Sequence, residues 1–123
     1  MGVIMKVLVA DDEESIVYIL KRVLTKSGCI VETATNGLEL LKLWKIDRQM
    51  VVLSDVNMPR LGGIAACREI KKLNPRVHIF LMTGSPGSYD DALKAMLGPV
   101  IKKPFSLPEL TNRVLAAGSS HSI

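Results

Sequence analysis

The feature that most limits the possible folds of this chain is a regular alternation of short apolar runs with segments of helical spacing. Five apolar runs predict strands, at residues 3–10, 29–35, 50–55, 77–82 and 99–103. Strands that alternate with helices are typical of a parallel sheet, because each right-handed crossover helix returns the chain to the same end of the sheet. The alternation therefore predicts an α/β fold.

The segments that follow these strands carry recognisable helix boundaries. In the first, apolar residues recur at every third or fourth position, positive residues take the opposite face, and Gly28 ends the helix. Asn36 is the predicted start of the second helix, and Asn74 is the predicted end of the third. Ser88 and Ser106 are each followed three residues later by an acidic residue. This is the pattern of a capping box, so it predicts the starts of the fourth and fifth helices.

The composition of the strands predicts their order in the sheet. The first, third and fourth runs are almost continuously apolar, as strands covered by helices on both faces must be. The second run contains Glu32 and Thr33 and is therefore better suited to an edge. We predict a flavodoxin-like five-stranded parallel sheet in the order 2-1-3-4-5, with five helices on both faces.

The length of the chain predicts a single domain. Its 123 residues, 48% of them hydrophobic, are enough for one core and too few for two. We expect the domain to span residues 1–117, followed by a short polar tail at residues 118–123. No apolar run approaches the roughly 18 residues that a membrane helix needs, and the N-terminus lacks the apolar core of a signal peptide. Membrane insertion is therefore not expected.

The charge and the cysteine content of the chain limit the cellular compartments and the classes of partner that we expect. The net charge of +4 comes from positive residues spread over several predicted helix faces, which indicates a solvated surface rather than a nucleic-acid interface. Cys29 and Cys67 lie far apart and match no metal-binding spacing. They predict free thiols in a reducing compartment, so we expect a cytoplasmic protein with no direct nucleic-acid contact.

Polar residues follow four of the five predicted strands. Asp11 and Asp12 follow the first strand, Asp55 ends the third, Thr83 follows the fourth and Lys103 ends the fifth. The carboxyl ends of parallel strands meet at one edge of the sheet, and ligands bind outside that edge. Alone, the lysine would be an ordinary surface residue and the threonine an ordinary turn residue. Their joint placement predicts one polar pocket.

The carboxylates at this edge predict a cation. Two charges about 4 Å apart repel by about 4 kcal/mol at an effective dielectric near 20, and Mg²⁺ is a preferred partner of such oxygens. Acidic residues also favour helix N-termini, but the run Asp11 to Glu14 exceeds what a cap needs. With a metal and Lys103 balancing the charge, Asp55 is a candidate nucleophile that accepts a phosphoryl group as an acyl phosphate.

Four segments, VADDE, LSDVNMP, LMTGS and KKPF, occur in an order and at intervals that resemble the receiver domain of two-component response regulators. The resemblance extends over about residues 5–117. It implies that Asp55 accepts a phosphoryl group from the phosphohistidine of a histidine kinase or a phosphotransfer protein. It also implies a switched surface read by a downstream protein partner or a fused output domain. No catalysis is implied beyond the domain's own phosphorylation and dephosphorylation.

The resemblance also assigns roles to the other polar residues at the edge. Asp11 and Asp12 would hold Mg²⁺, directly or through water, and Asn57 would add its backbone carbonyl. Thr83 would bind the phosphoryl group through its hydroxyl, and Lys103 would pair with its oxygens.

The resemblance further implies a cis bond between Lys103 and Pro104. Asn57 and Ser85 lie where the family tunes the lifetime of the phosphoryl group. Val100 departs from the family pattern, because the switch position three residues before the lysine is usually aromatic. The signal could instead travel through Thr83 and the loop at residues 84–91.

Three alternatives share parts of this pattern. A receiver-like interaction module that phosphorylation no longer switches would fit the valine at position 100. A haloacid-dehalogenase-like phosphatase also uses an aspartyl nucleophile but needs a second Asp two residues later, where this chain has Asn57. A flavodoxin would bind the flavin phosphate after the first strand, where four consecutive acids here would repel it.

Overall fold

The computed structural model describes residues 4–48 and 50–121. These residues form five strands: β1 (Lys6–Ala10), β2 (Ile30–Ala34), β3 (Val51–Asp55), β4 (Ile79–Thr83) and β5 (Val100–Lys102). They also form five helices: α1 (Glu14–Lys26), α2 (Gly37–Ile46), α3 (Gly63–Leu73), α4 (Pro86–Ala95) and α5 (Leu107–His121). The strands lie within two residues of the predicted runs, apart from the predicted start at Val3, which lies outside the described residues.

All strand pairs are parallel, and the sheet order is β2-β1-β3-β4-β5. Both the predicted order and the edge position of the second strand are confirmed. Every residue of β3 and β4 is buried, whereas β2 is buried only at Ala34. The difference follows from the positions of the strands in the sheet. A strand at the edge is less covered by helices than a central strand, so it needs fewer apolar side chains.

Helices cover both faces of the sheet, as predicted. One core cluster joins β1, β3 and β4 to buried side chains of α2, α3 and α4, among them Leu40, Trp44, Ala66, Ile70 and Ala92. The other cluster joins the opposite face to α1 and α5 through Leu20, Leu24, Leu110 and Val114. The sheet is therefore held between two apolar layers, and this rigid frame fixes the positions of its strand ends.

Two of the predicted helix starts are confirmed and one is wrong. The backbone N–H of Glu39 donates to the Asn36 side chain at 2.8 Å, and that of Glu109 donates to Ser106 Oγ at 3.3 Å. The fourth helix does not start at Ser88. It starts two residues earlier, at Pro86, with Ser85 as its N-cap. Proline is well suited to the first position of a helix, because its fixed φ is helical and it has no N–H to leave unpaired.

The predicted tail is helical for most of its length. Helix α5 continues through His121, whereas the prediction ended the domain at Ala117; Ser122 and Ile123 lie outside the described residues. Within this extension Gly118 packs closely on Met5, where a Cβ would overlap the Met5 sulfur unless that flexible side chain moved. A glycine lets the helix pass close to the chain that precedes β1.

No helix in residues 4–48 and 50–121 is long and apolar enough to cross a membrane.

Candidate functional site

The ends of four strands bring the predicted polar residues to one edge of the sheet. Asp55 and Thr83 are the last residues of β3 and β4, while Asp11 and Lys103 directly follow β1 and β5. Asp11, Asp55 and Thr83 are buried, and Asp12 is exposed. The predicted convergence at the carboxyl edge is therefore found in the structure.

Three carboxylates form a tight cluster at this edge. Asp11, Asp12 and Asp55 each offer one oxygen, and these oxygens all lie within 4.8 Å of one another. The backbone N–H of Val56 donates to Asp55 Oδ1 at 3.0 Å, and that of Glu13 donates to Asp11 Oδ1 at 3.0 Å. These bonds orient the two buried carboxylates. Hard oxygen ligands of this kind suit Mg²⁺.

Lys103 supplies positive charge to the cluster. Its Nζ lies 2.8 Å from Asp11 Oδ2, 3.5 Å from Asp55 Oδ1 and 3.5 Å from Glu13 Oε1. Its backbone N–H donates to the carbonyl of Thr83 at 2.8 Å, which ties the residue after β5 to the end of β4. The contact with Glu13 was not predicted. The sequence did show Glu13 in the acidic run after the first strand, but that run was interpreted only as having more acidic residues than a helix cap needs.

The electrostatics of the cluster show in two shifted pKa values. Burial, reinforced by the charge of Asp11, raises the pKa of Asp55 to about 6 from 3.8, although Lys103 opposes the change. Burial alone would lower the pKa of Lys103, but the hydrogen bond and charge of Asp11, with the charges of Asp55 and Glu13, raise it overall. The lysine therefore stays charged, and the Asp55 carboxylate lies where burial and a neighbouring carboxylate both disfavour its charged form.

Thr83 faces the first turn of α4. Its hydroxyl donates to the Ser85 carbonyl at 3.4 Å and accepts from the Ser85 N–H at 3.4 Å. Both bonds are long, so little free energy holds the hydroxyl in this orientation. The role of Thr83 in binding a phosphoryl group stays a prediction.

Asn57 is exposed in the loop after β3, and its side chain has a partner that the sequence did not reveal. The amide Nδ2 donates to Ser88 Oγ at 2.8 Å. The two residues are 31 positions apart, and no spacing rule connects the loop after β3 with the first turn of α4. The use of its backbone carbonyl as a metal ligand stays a prediction.

Two further expectations concern the strand β5. The peptide bond between Lys103 and Pro104 is cis, as predicted. Val100 is half-buried and packs against the cluster that includes Leu81, its partner in the neighbouring strand. A short side chain packed in this way cannot swing as an aromatic ring would.

The comparisons with known proteins agree with this geometry. A family model described as response regulator receiver domain matches residues 7–115. The alkaline phosphatase synthesis transcriptional regulatory protein PhoP of Bacillus subtilis is 37% identical over 113 residues, which are 90% of this chain and 47% of that protein. The chain thus spans about half the length of the curated relatives it matches.

Solved structures show the same fold. A response regulator receiver domain protein from Clostridium thermocellum superposes with a TM-score of 0.88 at 32% identity, covering 97% of this chain and 98% of that one. The signal receiver domain of a histidine kinase from Syntrophus aciditrophicus superposes with a TM-score of 0.86 at 26% identity, covering 94% of this chain and 91% of that one. With its sheet order, its carboxylate cluster and the match over residues 7–115, the chain belongs to the family of response regulator receiver domains.

Proposed function

We propose that this domain is a phosphoacceptor in a two-component phosphorelay, in which Asp55 accepts a phosphoryl group from the phosphohistidine of a histidine kinase or a phosphotransfer protein. One observation carries the proposal: Asp55 ends a buried strand with its Oδ1 3.5 Å from Lys103 Nζ and inside a cluster of three carboxylates. A nucleophile, a cation that stays charged and ligands for a metal meet at one point, which is what phosphoryl transfer requires of a protein.

The transfer step follows from these groups. An oxygen of Asp55 bonds to phosphorus while the phosphorus–nitrogen bond of the phosphohistidine breaks. The leaving imidazole keeps the bonding electrons and takes a proton. Lys103 exchanges part of its pairing with Asp11 for the transferred oxygens, and the hydroxyl of Thr83 turns from Ser85 to donate to one of them. Because both hydrogen bonds between Thr83 and Ser85 are long, breaking them to release the hydroxyl costs little free energy.

Mg²⁺ fits the donor set at this edge. Asp11, Asp12 and Asp55, with the backbone carbonyl of Asn57, would hold the ion. The raised pKa of Asp55 supports this assignment, because burial and the charge of Asp11 both disfavour its carboxylate form and Lys103 does not offset them, whereas a bound cation would. When bound, the ion neutralises charge on the transferred oxygens.

The product of the reaction is a changed surface rather than a released molecule. Phospho-Asp55 adds charge at the sheet edge, and movement of Thr83 would disturb the Ser85 cap and so helix α4. That helix and the turn after it carry exposed apolar side chains at Leu93 and Met96, with exposed fractions of 49% and 86%. A shift of α4 would therefore alter a surface that a protein partner can read.

The partners and the compartment are proposed on the same basis. A downstream protein or a fused output domain would read the surface, since the curated relatives are about twice as long as this chain. The buried Cys29 and Cys67 are free thiols, which supports a cytoplasmic location.

A second candidate is an interaction module that phosphorylation does not switch. The packed Val100 favours it, because it removes an aromatic ring that could move on phosphorylation. The complete cluster of Asp11, Asp12, Asp55 and Lys103 favours the switch, since an unswitched module has no need for buried carboxylates that repel one another.

Phosphorylation with acetyl phosphate and Mg²⁺, read by intact mass, tests the proposal. The wild type should gain one phosphoryl group, and Asp55→Asn should gain none. Asp90→Asn, an exposed carboxylate on α4, is the matched control and should behave as the wild type does. The absence of any gain in the wild type, or an equal gain in Asp55→Asn, would overturn the proposed function.

A further inference from the structure

We propose that Ser88 is a positioning residue that holds the Asn57 side chain across the α4 side of the site and thereby slows hydrolysis of the phosphorylated Asp55. The inference rests on the proposed function. It assigns a role to a residue in the first turn of α4 whose hydroxyl accepts from Asn57 Nδ2 at 2.8 Å.

A short chain of hydrogen bonds connects the acceptor loop to the end of β4. Asn57 Nδ2 donates to Ser88 Oγ, the Ser88 N–H donates to Ser85 Oγ at 3.4 Å, and the Ser85 N–H donates to Thr83 Oγ1 at 3.4 Å. The bond between Asn57 and Ser88 is the shortest of the three. The first turn of α4 is therefore tied both to the loop after β3 and to the end of β4.

The topology gives this bond its place relative to the acceptor. Strands β3 and β4 are neighbours, and Asp55 lies beside Met82 in their register. The segments that leave these strands start at the same edge, on either side of the gap between the two strand ends. The hydrogen bond from Asn57, two residues after Asp55, to Ser88, five residues after Thr83, joins these segments across that gap.

The expected consequence concerns water. An acyl phosphate is lost when water attacks phosphorus, so a side chain held across the gap limits the approach of water. Asn57 is exposed, and without a partner its carboxamide would sample several rotamers. The Ser88 hydroxyl restricts it to one, which should prolong the lifetime of the phosphoryl group without any contact between Ser88 and phosphorus.

The experiment measures the lifetime of phospho-Asp55 after removal of acetyl phosphate, by intact mass over time in excess Mg²⁺. Ser88→Ala should shorten the lifetime by about fivefold, the factor that corresponds to one ordinary hydrogen bond. Ser88→Thr keeps the hydroxyl and should restore most of the lifetime. Asn57→Ala keeps the backbone carbonyl and should shorten the lifetime to a similar degree.

Two further variants separate positioning from a general structural effect. If Ser88 acts through Asn57, the double variant Asn57→Ala/Ser88→Ala should decay no faster than Asn57→Ala alone. Ser27→Ala is the matched control, because its hydroxyl also makes one hydrogen bond, to Val23, at the exposed end of α1. It should leave the lifetime unchanged.

The outcomes distinguish this inference from the function on which it rests. If the wild type takes up no phosphoryl group, the proposed function fails and the inference fails with it. If the wild type is phosphorylated normally but Ser88→Ala decays like Ser27→Ala, or more slowly than the wild type, the inference alone is overturned. Additive effects in the double variant would also overturn it.

The resonances of the Asn57 side-chain amide give a second readout in the unphosphorylated protein. The bond to Ser88 predicts slow exchange of one amide hydrogen with solvent in the wild type and in Ser88→Thr. Exchange should quicken by about fivefold in Ser88→Ala. Equal exchange in all three proteins would show that the hydrogen bond does not hold the side chain, and the inference would be wrong.

Discussion

At the scale of single residues, Asp55 is an acid kept where its charged form is disfavoured. Burial and the charge of Asp11 raise its pKa to about 6 against 3.8, despite Lys103. The folded state therefore binds this proton more tightly than the unfolded state does. The resulting contribution to stability is fully present below about pH 3.8 and is lost as the pH rises through about 6.

The substitution Asp55→Asn should therefore stabilise the magnesium-free protein at pH 7. We expect a gain of about 1 to 2 kcal/mol in the free energy of unfolding, less than the full linkage value because solvent screens part of the interaction. The gain should shrink as the pH falls from 6 to 4, because Asp55 becomes neutral in the wild type. Urea unfolding followed by the fluorescence of Trp44, which is fully buried, measures both effects.

The control for this prediction is Asp90→Asn, an exposed residue on α4. Its difference from the wild type should be small and should not depend on pH. A lower stability of Asp55→Asn at pH 7, or a gain that stays constant down to pH 4, would contradict the prediction.

At the scale of the elements, the start of α3 fixes the position of Asp55. The Gly63 N–H donates to the Val56 carbonyl at 2.9 Å, and the Val56 N–H donates to the Met82 carbonyl at 2.9 Å. A Cβ at Gly63 would overlap the carbonyl oxygen of Asp55 and lie 2.9 Å from Ser54 Oγ. Only a residue without a side chain lets α3 approach the end of β3 this closely.

The substitution Gly63→Ala should destabilise the domain by about 1 to 3 kcal/mol, because backbone must shift to make room for the methyl group. It should also slow phosphorylation by acetyl phosphate, since the displaced backbone carries Asp55. Urea unfolding and the rate of mass gain are the measurements.

Gly87→Ala in α4 is the matched control for this change. A Cβ at Gly87 would have no heavy atom within 4 Å, and alanine favours a helix by up to about 1 kcal/mol over glycine. The control should be neutral or stabilising. If Gly63→Ala proved as stable as Gly87→Ala, the proposed close approach would be wrong.

At the scale of the whole molecule, folding creates the cluster of three carboxylates. Asp11 and Asp12 follow β1, whereas Asp55 ends β3, so the three carboxylates meet only when these two central strands pair. Two apolar layers hold that pairing in place. A ligand that binds this cluster therefore binds the folded state alone and shifts the unfolding equilibrium.

Mg²⁺ should raise the free energy of unfolding by about 2.7 kcal/mol at a concentration one hundred times its Kd. Removal of the metal with a chelator should reverse the gain. Asp12→Ala, which removes an exposed ligand without disturbing the core, should reduce the gain strongly. Asp90→Asn should keep it. No stabilisation of the wild type, or the same stabilisation in Asp12→Ala, would exclude a site at this cluster.

Much of the fold and the composition of the site could be predicted from the sequence, because they depend on local patterns. The apolar runs of β3 and β4 show that these strands are buried, and the chirality of crossover connections then leaves few possible sheet orders. Asp55 and Thr83 end their strands, so their meeting at one edge follows from topology. Neither inference needs the position of any particular side chain.

The tertiary structure decided which side chains pair once they are together. Lys103 is closer to Asp11 than to Asp55, Glu13 joins them, and Asn57 in the loop after β3 reaches Ser88 in α4. These contacts depend on the distances between strand ends and on the place where α4 packs, and both are set by the whole core.

The same distinction explains the helix start that was predicted wrongly. Ser88 follows the pattern of a helix cap, but the cap is Ser85, and the Ser88 hydroxyl accepts a hydrogen bond from Asn57 in the loop after β3. Helix α5 continues past Ala117, and Gly118 in this extension lies close to Met5, a contact between distant parts of the chain. The sequence by itself determined which residues meet, since strand ends and apolar periods are local. Only the tertiary structure decided their partners, because those depend on distances between elements that no local pattern contains.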